Sequence, residues 1–196
     1  MLGRGNKVKR MLDKKILKNA AYHEAGHTVV WHMNGFCVDE LSINNVAADG
    51  GECTGSCHVI EPMIHHLYPG CFKQFKKQRN TYHLYKKRAE RWINGLLAGP
   101  LAEKKISKSR TPLYSKEIVT HGGGNDFKEA IYLAREFYNE DEIGVYLQLS
   151  VMNVQKLLRG KNIWTSVIKL AATLLDKRKI AGDELRKYLN DLPVNS

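Results

Sequence analysis

Two histidines four residues apart, with a glutamate directly after the first, form the most chemically informative group in the sequence. The run His23-Glu24-Ala25-Gly26-His27 lies in a stretch with helical periodicity. Residues four apart stack on one face of a helix, so both imidazoles can reach one Zn²⁺ ion at about 2.0 to 2.1 Å. Glu24 is then placed to take the proton from a water molecule that the metal activates.

Chance is a poor explanation for this motif. The composition of this chain gives about 0.02 expected matches to such a pattern. The structural alternative is a helix that carries two surface histidines and no metal. Gly26 adds weight to the metal interpretation, because an interior glycine costs a helix about 1 kcal/mol relative to alanine. We therefore expect another element to approach this helix closely at Gly26.

A catalytic zinc site of this kind normally has a third protein ligand. His32 follows His27 by five residues and is rotated about 140° from it around the helix, so it points elsewhere. The extended motif has glycine three residues and histidine six residues after the second ligand. It fails in this chain, because Val30 and Met33 occupy those positions.

Three acidic residues elsewhere in the chain remain as candidates for the third ligand. Glu40 and Glu103 are formally possible, and Asp126 is the better candidate. Asp126 also has an interpretation without metal, because Asp126 followed by Glu129 fits a helix capping box. The residues alone leave both roles of Asp126 open.

The sequence has four cysteines, which could form two disulfides or one metal site: Cys37, Cys53, Cys57 and Cys71. We expect reduced thiols, since the sequence has no secretion signal. Cys53 and Cys57 would lie about 13 Å apart in an extended strand, beyond the reach of a disulfide. A second metal site around Cys57 and His58 is conceivable, but its spacings match no strong zinc pattern.

Hydrophobic periodicity and turn residues predict the elements that must position these side chains. We expect helices at 11–33, from about 72 through the apolar stripe at 92–101, and at 126–138, 143–158, 163–175 and 182–189, with short strands at 37–43 and 52–60. No internal repeat or long linker divides the chain. The expected fold is one α+β, mainly α domain over 1–196 with a small β-sheet.

The charge of the chain is concentrated in two segments. The 196 residues carry a net charge of +11, of which the basic N-terminal lead-in, 1–20, contributes +6 and the segment 73–91 contributes +7. The second segment interleaves aromatic and basic side chains, which is typical of a surface that follows phosphates. We favour the other interpretation, a solvated helix face with Tyr82, Tyr85 and Trp92 turned inward. The sequence has no apolar run of membrane-spanning length, and a cytoplasmic protein is expected.

Four segments in order resemble the peptidase domain of the FtsH family of ATP-dependent zinc proteases. They are AAYHEAGHTVV followed by ELSI, LLAGPLAEKK, VTHGGGNDFKEAIYLAR and IWTSVIKLAATLLDKRKIAGDEL. The resemblance covers most of residues 20–189 and implies a helical, zincin-like peptidase domain. It also implies that His23, His27 and Asp126 are the zinc ligands and that Glu24 is the catalytic base.

The sequence also departs from that family. Pro100 stands where the family usually has arginine, and residues 58–80 are predicted to be an insertion without a counterpart. The membrane helices and the ATPase module of the family are not found in these 196 residues. We therefore expect no ATP-driven unfolding by this chain in isolation.

These observations predict a zinc-dependent endopeptidase that hydrolyses unstructured polypeptides without ATP. The stretch Glu52 to Val59 could supply an edge along which an extended substrate binds. Folded substrates would need a separate unfoldase as a partner. The alternative is a non-catalytic relative that docks nucleic acid or an acidic protein through its basic segments.

Overall fold

The computed structural model describes residues 3–44, 55–60, 79–107 and 124–193. Six helices and three strands lie in these ranges. In chain order they are α1 (Gly3–Met33), β1 (Val38–Ile43), β2 (Gly55–Val59), α2 (Arg79–Ser107), α3 (Asn125–Ala134), α4 (Glu140–Arg159), α5 (Lys161–Lys177), β3 (Lys179–Ala181) and α6 (Gly182–Leu189). The fold is α+β and mainly α, as the sequence predicts.

The two longest helices, α1 and α2, form the frame of the molecule. They run antiparallel, since Asn34 near the end of α1 bonds the carbonyl of Arg91, whereas Asn19 bonds Glu103 near the end of α2. The helices touch closely at Gly26, where an added Cβ would lie 2.7 Å from the Ala98 carbonyl oxygen. The predicted close approach at Gly26 is therefore confirmed.

Helix α1 ends in a turn whose positive φ angle is favourable for glycine. Gly35 has φ +82°, and the amide of Phe36 donates to the Trp31 carbonyl while that of Gly35 donates to the His32 carbonyl. These two bonds are those of a Schellman motif. The turn predicted at Asn34-Gly35 is confirmed, and it leads the chain into β1.

The three strands form one antiparallel sheet in the order β2-β1-β3. Leu41 in the central strand pairs with Cys57 of β2 and with Ile180 of β3. Leu41 and Ile180 are almost completely buried, so this face of the sheet packs on the helices. Within this sheet, β2 is an edge strand.

The core joins the sheet to every helix. The largest fully buried side chains are Phe36, Leu41, Ile93, Leu97, Phe127, Leu147, Leu158, Leu170, Leu174, Ile180 and Leu185. The apolar stripe predicted at 92–101 lies in this core. Pro100 lies inside α2, and the helix continues through it to Ser107.

Several boundaries differ from the sequence prediction. Helix α1 begins at Gly3 rather than at residue 11, because the basic lead-in is rich in lysine and arginine, which favour helix. Helix α3 ends at Ala134, four residues before its predicted end. The short strand β3 was not predicted at all. Most of the predicted insertion at 58–80, together with Cys53 and Cys71, lies outside the described residues.

The described part of the basic segment 73–91 uses two of its cations inside the protein. The Lys86 ammonium lies 4.0 Å from the centre of the Tyr138 ring, and the Arg88 guanidinium lies 4.8 Å from that of Phe36. Trp92 is buried, and Tyr85 packs against the core. These contacts are those expected of a helix face with its aromatic side chains turned inward. None of the described helices is both long and apolar enough to cross a membrane.

Candidate metal and catalytic site

Helix α1 presents three side chains of the motif toward α2, α3 and β2. His23 and His27 lie one turn apart, with ring centres separated by 4.7 Å. His27 is buried and His23 is partly exposed, so the pair reaches from the core to the surface. Glu24 is only 7% exposed, although a carboxylate is seldom buried without a partner or a function.

Asp126 reaches this pair from the first turn of α3. Its Oδ2 atom lies 3.0 Å from Nε2 of His23, and its Oδ1 atom lies 3.6 Å from Nε2 of His27. Asp126 does not cap its helix, because Gly124 is the N-cap residue and no side chain caps that end. The capping-box interpretation of Asp126 with Glu129 is therefore wrong.

The donor atoms lie close enough together to be drawn onto one zinc ion. The ligand atoms of His23, His27 and Asp126 all lie within 4.8 Å of one another. Zinc bonds of about 2.0 to 2.1 Å in a tetrahedron place neighbouring ligand atoms about 3.3 Å apart. Asp126 approaches the two imidazoles at 3.0 and 3.6 Å through its two different oxygens, which is near that spacing. Two imidazoles and one carboxylate are also a ligand set typical of catalytic zinc, so these residues fit the ion.

Glu103 holds the His23 ring from the other side. Its Oε2 atom accepts a hydrogen bond from Nδ1 of His23 at 3.2 Å, and its Oε1 atom accepts one from Asn19 at 3.3 Å. A carboxylate on one ring nitrogen fixes the orientation of the ring and directs the other nitrogen toward a metal. Glu103 was a possible third ligand from the sequence, and its position instead makes it a positioning residue for His23.

His27 is oriented by the backbone of α2 and by a stack of aromatic rings. Its Nδ1 donates to the Gly95 carbonyl at 2.8 Å, which leaves Nε2 directed toward Asp126. The Trp31 ring stacks on the imidazole with a centroid distance of 4.9 Å. A Cβ on Gly95 would lie 2.0 Å from Trp31, and one on Gly99 would lie 2.3 Å from Nε2 of His27. Gly99 therefore makes room for the His27 imidazole, and Gly95 makes room for the Trp31 ring that stacks on it.

The Glu24 carboxylate lies against the beginning of the edge strand β2. A Cβ on Gly55 would lie 2.4 Å from Oε1 of Glu24, so any larger residue there would overlap the carboxylate. Burial raises the pKa of Glu24, and His27 and His23 lower it in part. A carboxyl group with a raised pKa is better suited to accept and return a proton near neutral pH.

The charges around His23 favour its protonated form when no metal is bound. Burial alone would lower the pKa of His23, but the hydrogen bonds to Asp126 and Glu103 raise it to about 10. For Asp126, burial opposes ionisation, yet the bonds to His23 and His27 hold the pKa of the carboxyl well below its usual range. A metal ion on Nε2 of His23 would replace a proton there and would find Asp126 already ionised.

The remaining candidates lie away from this group. Glu40 pairs with Lys179 across the sheet at 2.7 Å, and His32 bonds the backbone of Leu189. Cys57 is half-buried with its thiol beside the Thr28 hydroxyl, and desolvation raises the pKa of that thiol. In the described ranges, His23, His27 and Asp126 are the only group of three or more side chains placed so that they could hold a metal ion. Cys37 and Cys57 are free cysteines.

Comparison with known proteins gives one distant relative. No protein-family model matches this chain. The chain is similar to the ATP-dependent zinc metalloprotease FtsH of Caldicellulosiruptor bescii, with 24% identity over 214 residues. The match covers 93% of this chain and 32% of the relative, so the chain spans about a third of that protein's length. This similarity supports a distant FtsH-like relationship.

Sequence reasoning missed the residues that position the ligands. Glu103 was considered only as a ligand, and Gly55, Gly95 and Gly99 were not considered. Gly95 and Gly99 carry a readable signal, because two glycines four apart within the apolar stretch 92–102 of a helix indicate a face that another helix approaches. No comparable signal in the sequence points to Gly55.

Proposed function

We propose that this protein is a zinc-dependent endopeptidase that hydrolyses peptide bonds in unstructured polypeptides. The observation that carries the proposal is the convergence of His23, His27 and Asp126 within 4.8 Å, next to the buried carboxylate of Glu24. The distant similarity to a zinc metalloprotease supports the same reaction class.

The ligands would be Nε2 of His23, Nε2 of His27 and a carboxylate oxygen of Asp126. When bound, zinc supplies a Lewis acid that polarises the scissile carbonyl and makes the attacking water more acidic. Glu103 and the Gly95 carbonyl keep the two imidazoles oriented for this task. Three protein ligands leave one position of a tetrahedral site for water or substrate.

Glu24 would move the proton. Its carboxylate accepts a proton from the attacking water and then donates it to the nitrogen of the leaving amine. The raised pKa of Glu24 helps the carboxyl to hold that proton between the two steps. Glu24 itself is not among the ligands, so its two oxygens are available for this transfer.

The edge strand β2 supports an extended polypeptide as the substrate. A chain that adds to β2 as a further strand would run past Glu24, because Gly55 begins that strand and contacts the carboxylate. A segment can pair in this way only when it is extended. We therefore expect the isolated chain to cleave unstructured polypeptides without ATP and to spare stably folded proteins unless a partner unfolds them.

Casein hydrolysis by the purified protein, measured with and without a chelator and together with metal analysis, tests this proposal. We expect zinc near one ion per chain and loss of hydrolysis with the chelator. A second comparison uses one substrate in folded and destabilised forms, with and without ATP. Equal rates on both forms, or stimulation by ATP, would contradict the proposed route of substrate entry.

A further inference from the structure

An apolar stripe lies on the exposed face of α4. Val145, Leu149 and Met152 are 60%, 55% and 57% exposed, and their spacing of four and three residues places them in one line along the helix. The opposite face of α4 supplies Leu147 and Val151 to the core, so the helix is already anchored without the stripe. Single exposed apolar residues are common, whereas three in one line along a helix form an apolar surface that a partner can cover.

Charged residues of opposite sign stand at the two ends of this stripe. Asp141 precedes Val145 by four residues, and Lys156 follows Met152 by four, so both continue the same face. Both side chains are exposed. The face therefore has an acidic end, an apolar centre and a basic end, over about 22 Å of helix.

This order of charges makes the face complementary to an antiparallel copy of itself. A two-fold axis between Gln148 and Leu149 places Asp141 opposite Lys156 of the second copy and Val145 opposite its Met152. The two Leu149 side chains then meet next to the axis. A parallel copy would instead bring acid beside acid and base beside base, which is unfavourable.

We propose that two copies of this chain associate through α4, packed antiparallel about a two-fold axis beside Leu149. The stripe of Val145, Leu149 and Met152 forms the apolar centre of the contact, and two pairs of Asp141 with Lys156 close its ends. Such an interface is isologous, with the same surface contributed by both copies. One helix from each copy makes a small contact, so association depends on protein concentration.

Sedimentation velocity over a wide range of protein concentrations tests the association. The wild-type chain should pass from monomer to dimer as its concentration rises. Leu149→Glu places two like charges beside the axis and should leave a monomer at every concentration. Ile60→Ala, which removes an exposed apolar side chain at the end of β2, should dimerise like the wild type.

Charge-reversal variants test whether Asp141 pairs with Lys156 of the second copy, as opposed to a nonspecific effect of each substitution on the surface. Asp141→Lys alone, or Lys156→Glu alone, turns two attractions per dimer into two repulsions and should raise the dissociation constant about tenfold. The double variant restores both pairs with their signs exchanged and should dimerise as the wild type does. Since it keeps both substitutions, it also controls for their effects on folding.

Three outcomes would overturn the proposal. The first is a wild-type chain that stays monomeric at all concentrations, which would assign the stripe to another partner. The second is a Leu149→Glu variant that still dimerises, which would place the interface elsewhere. The third is a double charge variant that dissociates as readily as the two single variants.

Discussion

Replacing Gly99 with alanine should weaken zinc binding although it removes no ligand. The added Cβ would lie 2.3 Å from Nε2 and 2.6 Å from Cε1 of His27. Non-bonded carbon atoms approach to about 3.5 Å, so either the imidazole or α2 must move by about 1 Å. The ring cannot turn aside freely, because its Nδ1 donates to the Gly95 carbonyl and Trp31 stacks on its face.

The size of the effect follows from the tolerance of metal coordination. Zinc bond lengths vary by only about 0.2 Å, so a displacement of about 1 Å takes Nε2 out of bonding distance. Loss of an outer partner of a ligand already costs about 10- to 100-fold in affinity. We expect at least the upper value for Gly99→Ala, about 100-fold, which is about 2.7 kcal/mol.

Competition with a chromophoric zinc chelator measures this affinity directly. Gly124→Ala is the matched control, because it makes the same change close to Asp126 and its added Cβ would meet no atom of the described residues within 4 Å. Circular dichroism establishes that each variant is folded. A folded Gly99→Ala variant that binds zinc as tightly as the wild type would refute the role given to this close approach.

Three further predictions concern the ligands and their surroundings. Glu103→Gln should weaken zinc binding about 10- to 100-fold, because the amide orients His23 less strongly than the carboxylate does. Glu140→Gln, at an exposed ion pair, is the control. Equal zinc affinities of Glu103→Gln and the wild type would argue against the positioning role. Asp126→Asn should lower zinc affinity at least about 100-fold while α3 stays folded, and full occupancy in metal analysis would refute the ligand assignment. Zinc affinity should rise about tenfold from pH 7 to pH 8, because binding displaces one proton from His23, whose pKa is about 10 without metal. Chelator competition at both pH values measures this change. An unchanged affinity would contradict the protonated state of His23 in the metal-free protein.

The sequence was sufficient for the parts of the fold that depend on local patterns. Long amphipathic runs predicted α4 and α5 to within three residues at each end. The Asn34-Gly35 turn was predicted because glycine there permits a positive φ. Strand β3 was not predicted, because three residues are too few to show the alternation of apolar and polar side chains that is typical of a strand. Its pairing with β1 depends on contacts 140 residues apart in the chain.

In the candidate site, too, the sequence predicted what local spacing determines and not what long-range packing determines. His23 and His27 share one helix face by spacing alone, so the sequence brings them together. Asp126 lies 103 residues from His23; the residues alone made it the better candidate for the third ligand, and the resemblance to known peptidases assigned it that role. The partners that orient the ligands depend on how α2 packs on α1, which no local pattern determines. Gly99 and Glu103 therefore required the structure.

The central claim is that this chain is a zinc peptidase that uses Glu24 as its base. The most direct test measures casein hydrolysis and zinc content on the same preparation of Glu24→Gln. Glutamine keeps the size and polarity of the side chain and cannot accept the proton. We predict wild-type zinc content and a casein hydrolysis rate lower by about 100- to 10,000-fold. Wild-type turnover in this variant, or a wild-type protein that binds zinc and cleaves no polypeptide, would contradict the proposed function.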